Sequence, residues 1–433
     1  MKCGHSHRKR TFTASCACAL LALLLMLLTS VSSAQTTEEL LQQADAALQK
    51  EDYAAVVTAL ESYLAKEAQN YSARFNLALA YSMVGGQSEA ILQYQQVLAQ
   101  VPELVPAHLN LGILLLQQGN AAEALEHFQK VTEQQPNHWA AQVNRAAALV
   151  ALNRLPEARQ AYEQALRMKP DAQTHLAYAK VLEPGDPDAE RHLRQALQLD
   201  PSLEEASLLL ASLLEARGGK DAGTLDEAAG IYRNLIEVHP ERTDLRLRLG
   251  EILLTQGHTE EAIRELETAR GAGNAPFALN HALLQAYLKA KRNDSALALL
   301  PELLAQQENN PELRLLEGTL RMEKQQYAEA AEAFRRATVL DPQSAPAYTN
   351  FASALYLLKD YAGTIAALER VAALGKDTAG SYFLRAIALD KLEQKAAALE
   401  NYQHFLATDE QKNQDQEFQA RQRVRALERE VRR

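Results

Sequence analysis

The chain has 433 residues, 47% of them apolar but only 6% aromatic, and a formal charge of -10. That acidic balance excludes a surface built to grip nucleic acid or anionic lipid non-specifically, which needs clustered lysine and arginine. Sparse glycine, proline and aromatic residues favour alanine- and leucine-rich helices over strands.

The first segment reads as an export signal. Lys2, Arg8, Lys9 and Arg10 stand there without an acidic residue, so the remainder is more acidic than the whole. An apolar run of 13 residues from Cys16 to Leu28 follows, then Thr29 and Ser30. Ser32, Ser33 and Ala34 supply the small side chains that a signal peptidase needs, so residues 1–34 are expected to be removed after Ala34. The run is too short to span a bilayer comfortably; retention as an anchor is the alternative. Lys9-Arg10 is a poor twin-arginine pair, and Cys16 precedes the apolar run rather than following it, unlike a lipoprotein cysteine. All three cysteines (Cys3, Cys16, Cys18) fall in this segment, which excludes disulfides and thiol chemistry from the mature chain. The expectation is an exported protein, periplasmic or at the cell surface, with no integral membrane span once processed.

Beyond it, alanine recurs at Ala90, Ala124, Ala158, Ala189, Ala228, Ala262, Ala296, Ala330 and Ala398, with Val56 and Thr364 in the two remaining slots. Successive gaps are 34 residues, except 31 before Ala189 and 39 before Ala228. A fixed period of this length marks a stack of small helical units, each burying its apolar face only against its neighbours. The expected units lie near residues 37–70, 71–104, 105–138, 139–171, 172–203, 204–242, 243–276, 277–310, 311–344, 345–378 and 379–412. Ala124, Phe128 and Val131 stand at i, i+4 and i+7, one stripe of a helix. The methyl group allows close helix approach, and the ring fills the gap toward the next unit. Pro102, Pro136, Pro170, Pro201, Pro240 and Pro342 each stop a second helix, and Gly85, Gly119 and Gly257 fall where the first helix turns back.

Three irregularities stand out. Pro184-Gly185-Asp186-Pro187 shortens one turn, and residues 218–223 insert into the next unit's turn, read as a harmless lengthening rather than a binding loop. Pro301 is expected to kink its helix and bend the array between Leu297 and Leu304. After the last unit, residues 413–417 read as a polar linker, and Phe418, Val424, Leu427 and Val431 as the apolar stripe of a capping helix ending the domain at residue 433.

The pattern resembles the tetratricopeptide repeat family. The third unit carries Leu111-Gly112, Ala124, Phe128, Val131 and Pro136; the fourth Ala146, Ala158, Tyr162, Ala165 and Pro170; the ninth Gly318, Ala330, Phe334, Ala337 and Pro342. The match covers about residues 37–412. The resemblance implies an all-α fold: a right-handed α-solenoid of about eleven helix-turn-helix repeats with a C-terminal capping helix.

No catalytic constellation emerges. His-Glu-x-x-His, Gly-x-Ser-x-Gly, phosphate-loop and dinucleotide fingerprints are missing, and no two histidines stand at i, i+4 on one helix. Neither a cofactor nor a metal is expected, nor an attached catalytic domain, since no domain-sized segment of this sequence lies outside the array. The most suggestive set is Asn76, Asn110 and Asn144, at a 34-residue period, with Asn350 at the same place in the tenth unit. By resemblance, this place faces the concave groove, where an amide ladder suits the backbone of an extended peptide. The alternative is a consensus asparagine serving local backbone groups. Phe75, Leu79, Leu109, Ile113, Val143 and Ala147 are expected beside it, some of them shared with the core. The family's basic clamp for a terminal carboxylate is missing. Trp139, at the start of the fourth unit, is either a binding anchor or packed on the preceding helix.

The expected function is a non-enzymatic adaptor that holds an extended protein segment against residues 71–172, without nucleic acid. The alternatives are an accessory subunit of an envelope polysaccharide- or protein-secretion assembly and, more remotely, a groove-based enzyme acting on glycan or peptide.

Overall fold

The computed structural model describes residues 35–183, 185–271, 275–409 and 413–432. The expected signal at residues 1–34 lies outside the described residues, as do Pro184 of the shortened turn and residues 410–412. The described residues form 23 α-helices and no strand. They build an all-α solenoid of antiparallel helical hairpins. Two compact halves run up to Ser207 and onward from Leu208.

In the N-terminal half, odd-numbered helices open each hairpin (helix A) and even-numbered ones close it (helix B). They are α1 (Thr37–Leu48), α2 (Tyr53–Leu64), α3 (Tyr71–Val84), α4 (Gln87–Gln100), α5 (Val105–Gln117) and α6 (Ala121–Gln134). Then come α7 (Trp139–Ala151), α8 (Leu155–Met168), α9 (Ala172–Lys180) and α10 (Pro187–Leu199). The dividing point falls within α11 (Glu204–Arg217). The C-terminal half continues with α12 (Ala222–Val238), α13 (Thr243–Gln256), α14 (Thr259–Arg270), α15 (Phe277–Lys289), α16 (Asn293–Gln306) and α17 (Pro311–Glu323). It ends with α18 (Tyr327–Leu340), α19 (Ala345–Leu357), α20 (Tyr361–Ala373), α21 (Ala379–Lys391), α22 (Lys395–Thr408) and α23 (Gln414–Val431).

Local chemistry sets the helix ends. Asp52, Asn70, Asp171, Asn310 and Thr378 each accept a first-turn backbone N–H at a helix start. α4, α6, α8, α10, α12 and α18 all stop two residues before a proline, which cannot continue the backbone ladder. The A-to-B turn needs one left-handed residue. Gly85, Gly119 and Gly257 provide it at φ 84–86°. In the same register, Glu51, Asn153, Lys291, Gln325, Lys359 and Glu393 adopt φ of 57–64° without being glycine. The glycines are therefore one solution to a requirement that unbranched polar residues also meet.

In the third, seventh and ninth hairpins a glycine of helix A faces a large residue of helix B, 16 positions on. A Cβ built on Gly112 would lie 2.7 Å from the ring of Phe128, and one on Gly318 would lie 2.5 Å from that of Phe334. On Gly250 it would lie 2.6 Å from Leu266. The rings thus abut helix A of their own hairpin, a closer role than filling space toward the next unit.

The irregularities resolve locally. The 218–223 insertion becomes a short 3-10 turn, Gly218–Lys220, and the start of α12, where Asp221 accepts from the Gly223 N–H at 3.1 Å. α16 runs unbroken through Pro301, held by buried Leu299, Leu300, Leu303 and Leu304. Two C-terminal expectations need correction. The linker at 413–417 is already helical from Gln414, and Phe418 and Val431 point outward, 65% and 44% exposed. The buried face of α23 is Glu417, Ala420 and Leu427, with Val424 half-buried, because small Ala420 rather than bulky Phe418 fits against α22.

Candidate functional site

α3, α5 and α7 present equivalent triplets: Phe75, Asn76 and Leu79; Leu109, Asn110 and Ile113; Val143, Asn144 and Ala147. Their apolar members are partly core and partly open. Phe75, Leu109, Ile113 and Val143 are half-buried and pack against the interhelical core. Leu79 and Met83, one and two turns beyond Phe75, are 38% and 56% exposed. Phe75 is fixed by an edge contact with Tyr94 of α4, ring centroids 5.5 Å apart.

The three asparagines are not equivalent. Asn76 is exposed, while Asn110 and Asn144 are half-buried. Asn110 Nδ2 donates to the Tyr94 hydroxyl at 3.1 Å, and Asn144 Nδ2 donates to the carbonyl of Ala140 in its own helix at 2.8 Å. Burial pushes the Tyr94 phenol up, and the bond from Asn110 pulls the other way. Each of these two amides spends one N–H locally and keeps a second N–H and a carbonyl oxygen for other partners.

Acidic side chains are missing from this wall, as they also are from α9, α15 and α19. α3, α5 and α7 contain no aspartate or glutamate. Arg74 turns inward, donating to Gln93 at 2.7 Å and also to Gln96, and Arg145 is half-buried. The preceding α1 carries Glu38, Glu39 and Asp45. Trp139 is half-buried with the Lys169 ammonium 4.7 Å from its ring centroid, and its indole N–H has no hydrogen-bond partner. Lys169 ends helix B of the same hairpin, so this contact is internal to the fourth repeat.

A feature that the sequence reading missed recurs one layer deeper. The fourth residue of helix A meets, across the hairpin, the residue three after the repeat alanine of helix B. The second, third and seventh hairpins pair Arg74 with Gln93, His108 with His127 and Arg246 with Glu265, at 2.7, 2.8 and 2.5 Å. The shortened fifth pairs His175 with His192 at 2.8 Å. The signal was a constant offset of 19 residues, or 17 in the fifth, between two polar positions on otherwise apolar stripes.

The described residues contain no group of three or more histidine, cysteine or carboxylate side chains able to hold a metal ion. A cleft of about 440 Å3 in the C-terminal half is lined by charged residues, among them Arg314, Glu317, Arg321, Glu332 and Arg336. Glu317 there pairs with both Arg314 and Arg321. Hydrogen bonds from Arg335 and Arg336 hold the Glu332 carboxyl down at about 2. Glu332 is thus an ionised partner of arginine, not a proton donor. No described helix is long and apolar enough to cross a membrane.

Comparison with known proteins agrees with the repeat geometry. A tetratricopeptide repeat family model matches residues 84–137, 109–173, 281–345 and 315–381, and a second tetratricopeptide model matches 220–283. Together they cover more than half of the chain, which belongs to the tetratricopeptide repeat family. Such repeats make it a protein-interaction scaffold. Among curated proteins, the human protein O-mannosyl-transferase TMTC1 is 26% identical over 162 residues, 36% of this chain. The match spans only 18% of that enzyme's length. Among solved structures, Desulfovibrio magneticus MamA (17% identity, TM-score 0.37) covers 39% of this chain and 96% of its own. Yeast Tom70 (12% identity, TM-score 0.32) covers 92% and 96% respectively.

Proposed function

We propose that the chain is a non-enzymatic adaptor whose helix-A wall over residues 71–151 holds an extended, uncharged and largely apolar segment of a partner protein. The observation that carries this reading is the wall itself: accessible Leu79 and Met83, half-buried Phe75, Leu109, Ile113 and Val143, and no carboxylate on α3, α5 or α7. Burying apolar surface supplies the affinity, at about 25 cal/mol per Å2. The second amide N–H of Asn110 and Asn144 and the exposed amide of Asn76 supply backbone contacts with little regard for sequence. Export to the envelope, supported by the pattern of residues 1–34, is part of the same proposal. A role beside an envelope secretion assembly is the second setting in which such an adaptor fits.

The cleanest variants touch only exposed side chains. Leu79→Glu with Met83→Glu is expected to reduce capture of uncharged apolar 12-residue peptides by about tenfold or more, with little change in melting, since surface substitutions are usually neutral for stability. Asn76, Asn110 and Asn144 replaced together by alanine also weaken capture. That variant loses about 1 kcal/mol of stability for each local hydrogen bond from Asn110 and Asn144. Affinities measured on an immobilised peptide panel decide the matter: equal capture by Leu79→Glu/Met83→Glu and the parent removes the wall from consideration.

A further inference from the structure

The polar pair bridging helix A to helix B takes two chemical forms. In the second and seventh hairpins it is arginine with glutamine or glutamate; in the third and fifth it is two imidazoles, Nδ1 to Nδ1 at 2.8 Å. Surrounding contacts assign the protons. His108 Nε2–H donates to the Pro102 carbonyl at 2.7 Å, so its Nδ1 accepts from His127 Nδ1–H. In the fifth hairpin His192 Nε2 lies 3.4 Å from Arg191 Nη2 and accepts from it, so His192 Nδ1–H donates to His175. The two pairs are thus the same device: helix B donates, helix A accepts, and both rings are neutral.

We propose that these pairs are acid-operated latches, closing the third and fifth hairpins at neutral pH and releasing α5 from α6 and α9 from α10 on mild acidification, while the arginine-bridged hairpins stay closed. The first added proton goes to the ring nitrogen of His127 or His192 outside the inter-ring bond, at His192 in place of the hydrogen bond from Arg191, and sets a cation in a poorly hydrated slot. The second has only the accepting lone pair to take. It turns the bond into two N–H groups facing each other on two cations.

The charged neighbours resist that uptake unevenly. Lys130 on α6 opposes a charge on both rings of the first pair, and Glu103 before α5 favours one on His108. Around the second pair, Arg191 opposes, while Asp171 favours a charge on His175 and Asp188 and Glu163 favour one on His192. Burial is the largest influence on all four rings and pushes each below the ordinary imidazole range, His127 and His192 to about 4. The sign follows: the unfolded hairpin binds more protons than the folded one, so stability is full above pH 6.5 and is lost progressively as pH falls toward 4.

Amide hydrogen exchange at pH 7.5 and pH 5.0, corrected for intrinsic rates, tests this without any ligand. Protection in α5–α6 and α9–α10 is expected to drop on the order of tenfold or more relative to α3–α4 and α13–α14. A uniform change across all four hairpins would overturn the proposal. His108→Arg with His127→Gln copies the Arg74–Gln93 bridge and is expected to abolish acid loosening in α5–α6 while leaving it in α9–α10. Persisting loosening in α5–α6 of that variant also overturns the idea, and if the variant does not fold, the parent protein's exchange pattern decides alone. One consequence rests on the groove reading: α5 also carries Leu109, Asn110 and Ile113, so peptide capture should weaken with acid. Exchange that responds without capture responding would fault the groove and not the latch.

Discussion

Phe128→Ala is expected to cost about 3–5 kcal/mol, the range for removing a fully buried ring from a core that cannot collapse. Phe128 is 0% exposed and shares one core cluster with Leu111, Leu115 and Leu125. Its ring lies against the backbone of Gly112, so helix A has no side chain at that point to swing into the void. Repeats are stabilised mainly by their neighbours, so unfolding should start around the third hairpin and spread from it. The reciprocal substitution confirms the fit from the other side. Gly112→Ala gains about 1 kcal/mol of helix propensity but forces a methyl within 2.7 Å of the ring, and overpacking of that kind costs about 1–3 kcal/mol. Urea unfolding of both variants is the check; a loss below about 1 kcal/mol for Phe128→Ala would mean that the ring is not the element closing the hairpin.

Arg385→Ala is the second large effect, about 3–5 kcal/mol, because it strands buried partners rather than merely removing a contact. Arg385 occupies a helix-A position that is leucine in five other repeats, yet it is only 8% exposed. Its Nη2 donates to the Leu368 carbonyl and to Asp377 Oδ1, both at 2.7 Å, and its Nη1 lies 3.4 Å from Asn401 Oδ1. This guanidinium ties α21 to α20, to the loop before α21 and to α22. Removing it leaves the Asp377 carboxylate, 15% exposed, without its cation. Arg385→Met with Asp377→Asn should recover part of the loss, since the stranded charge goes too. By contrast Arg425→Ala, on the exposed face of α23, is expected to stay within about 0.5 kcal/mol of the parent. Thermal melts that fail to separate Arg385→Ala from Arg425→Ala would contradict the buried network.

The repeat was legible in the sequence because it is written in volume and period: alanine every 34 residues, a ring four positions later, a proline at the close. These fix helix, hairpin and stacking together. What escaped were features in which one physical requirement admits several residue types. Glu51, Lys291 and Lys359 fill a left-handed turn slot that glycine marks elsewhere. Arginine–glutamine, arginine–glutamate and histidine–histidine pairs fill one bridge, and as separate residue types they do not look like a pattern. The end of the chain misled for a related reason. Four apolar residues suggested a stripe on α23, but its packing is decided by the small contact at Ala420, which a search for bulky side chains passes over. At the wall, spacing aligned Asn76, Asn110 and Asn144, yet only coordinates reveal that the last two already hold local partners.

The most direct measurement places a photoreactive benzophenone side chain, one site at a time, at Leu79, at Met83 and at Leu92. Leu92 is 51% exposed but belongs to helix B, so it is equally accessible and differs only in its surface. With uncharged apolar 12-residue peptides as the probe, adducts are expected from positions 79 and 83 and not from 92. Adducts of equal yield from position 92, or none from 79 and 83, would contradict docking along the helix-A wall.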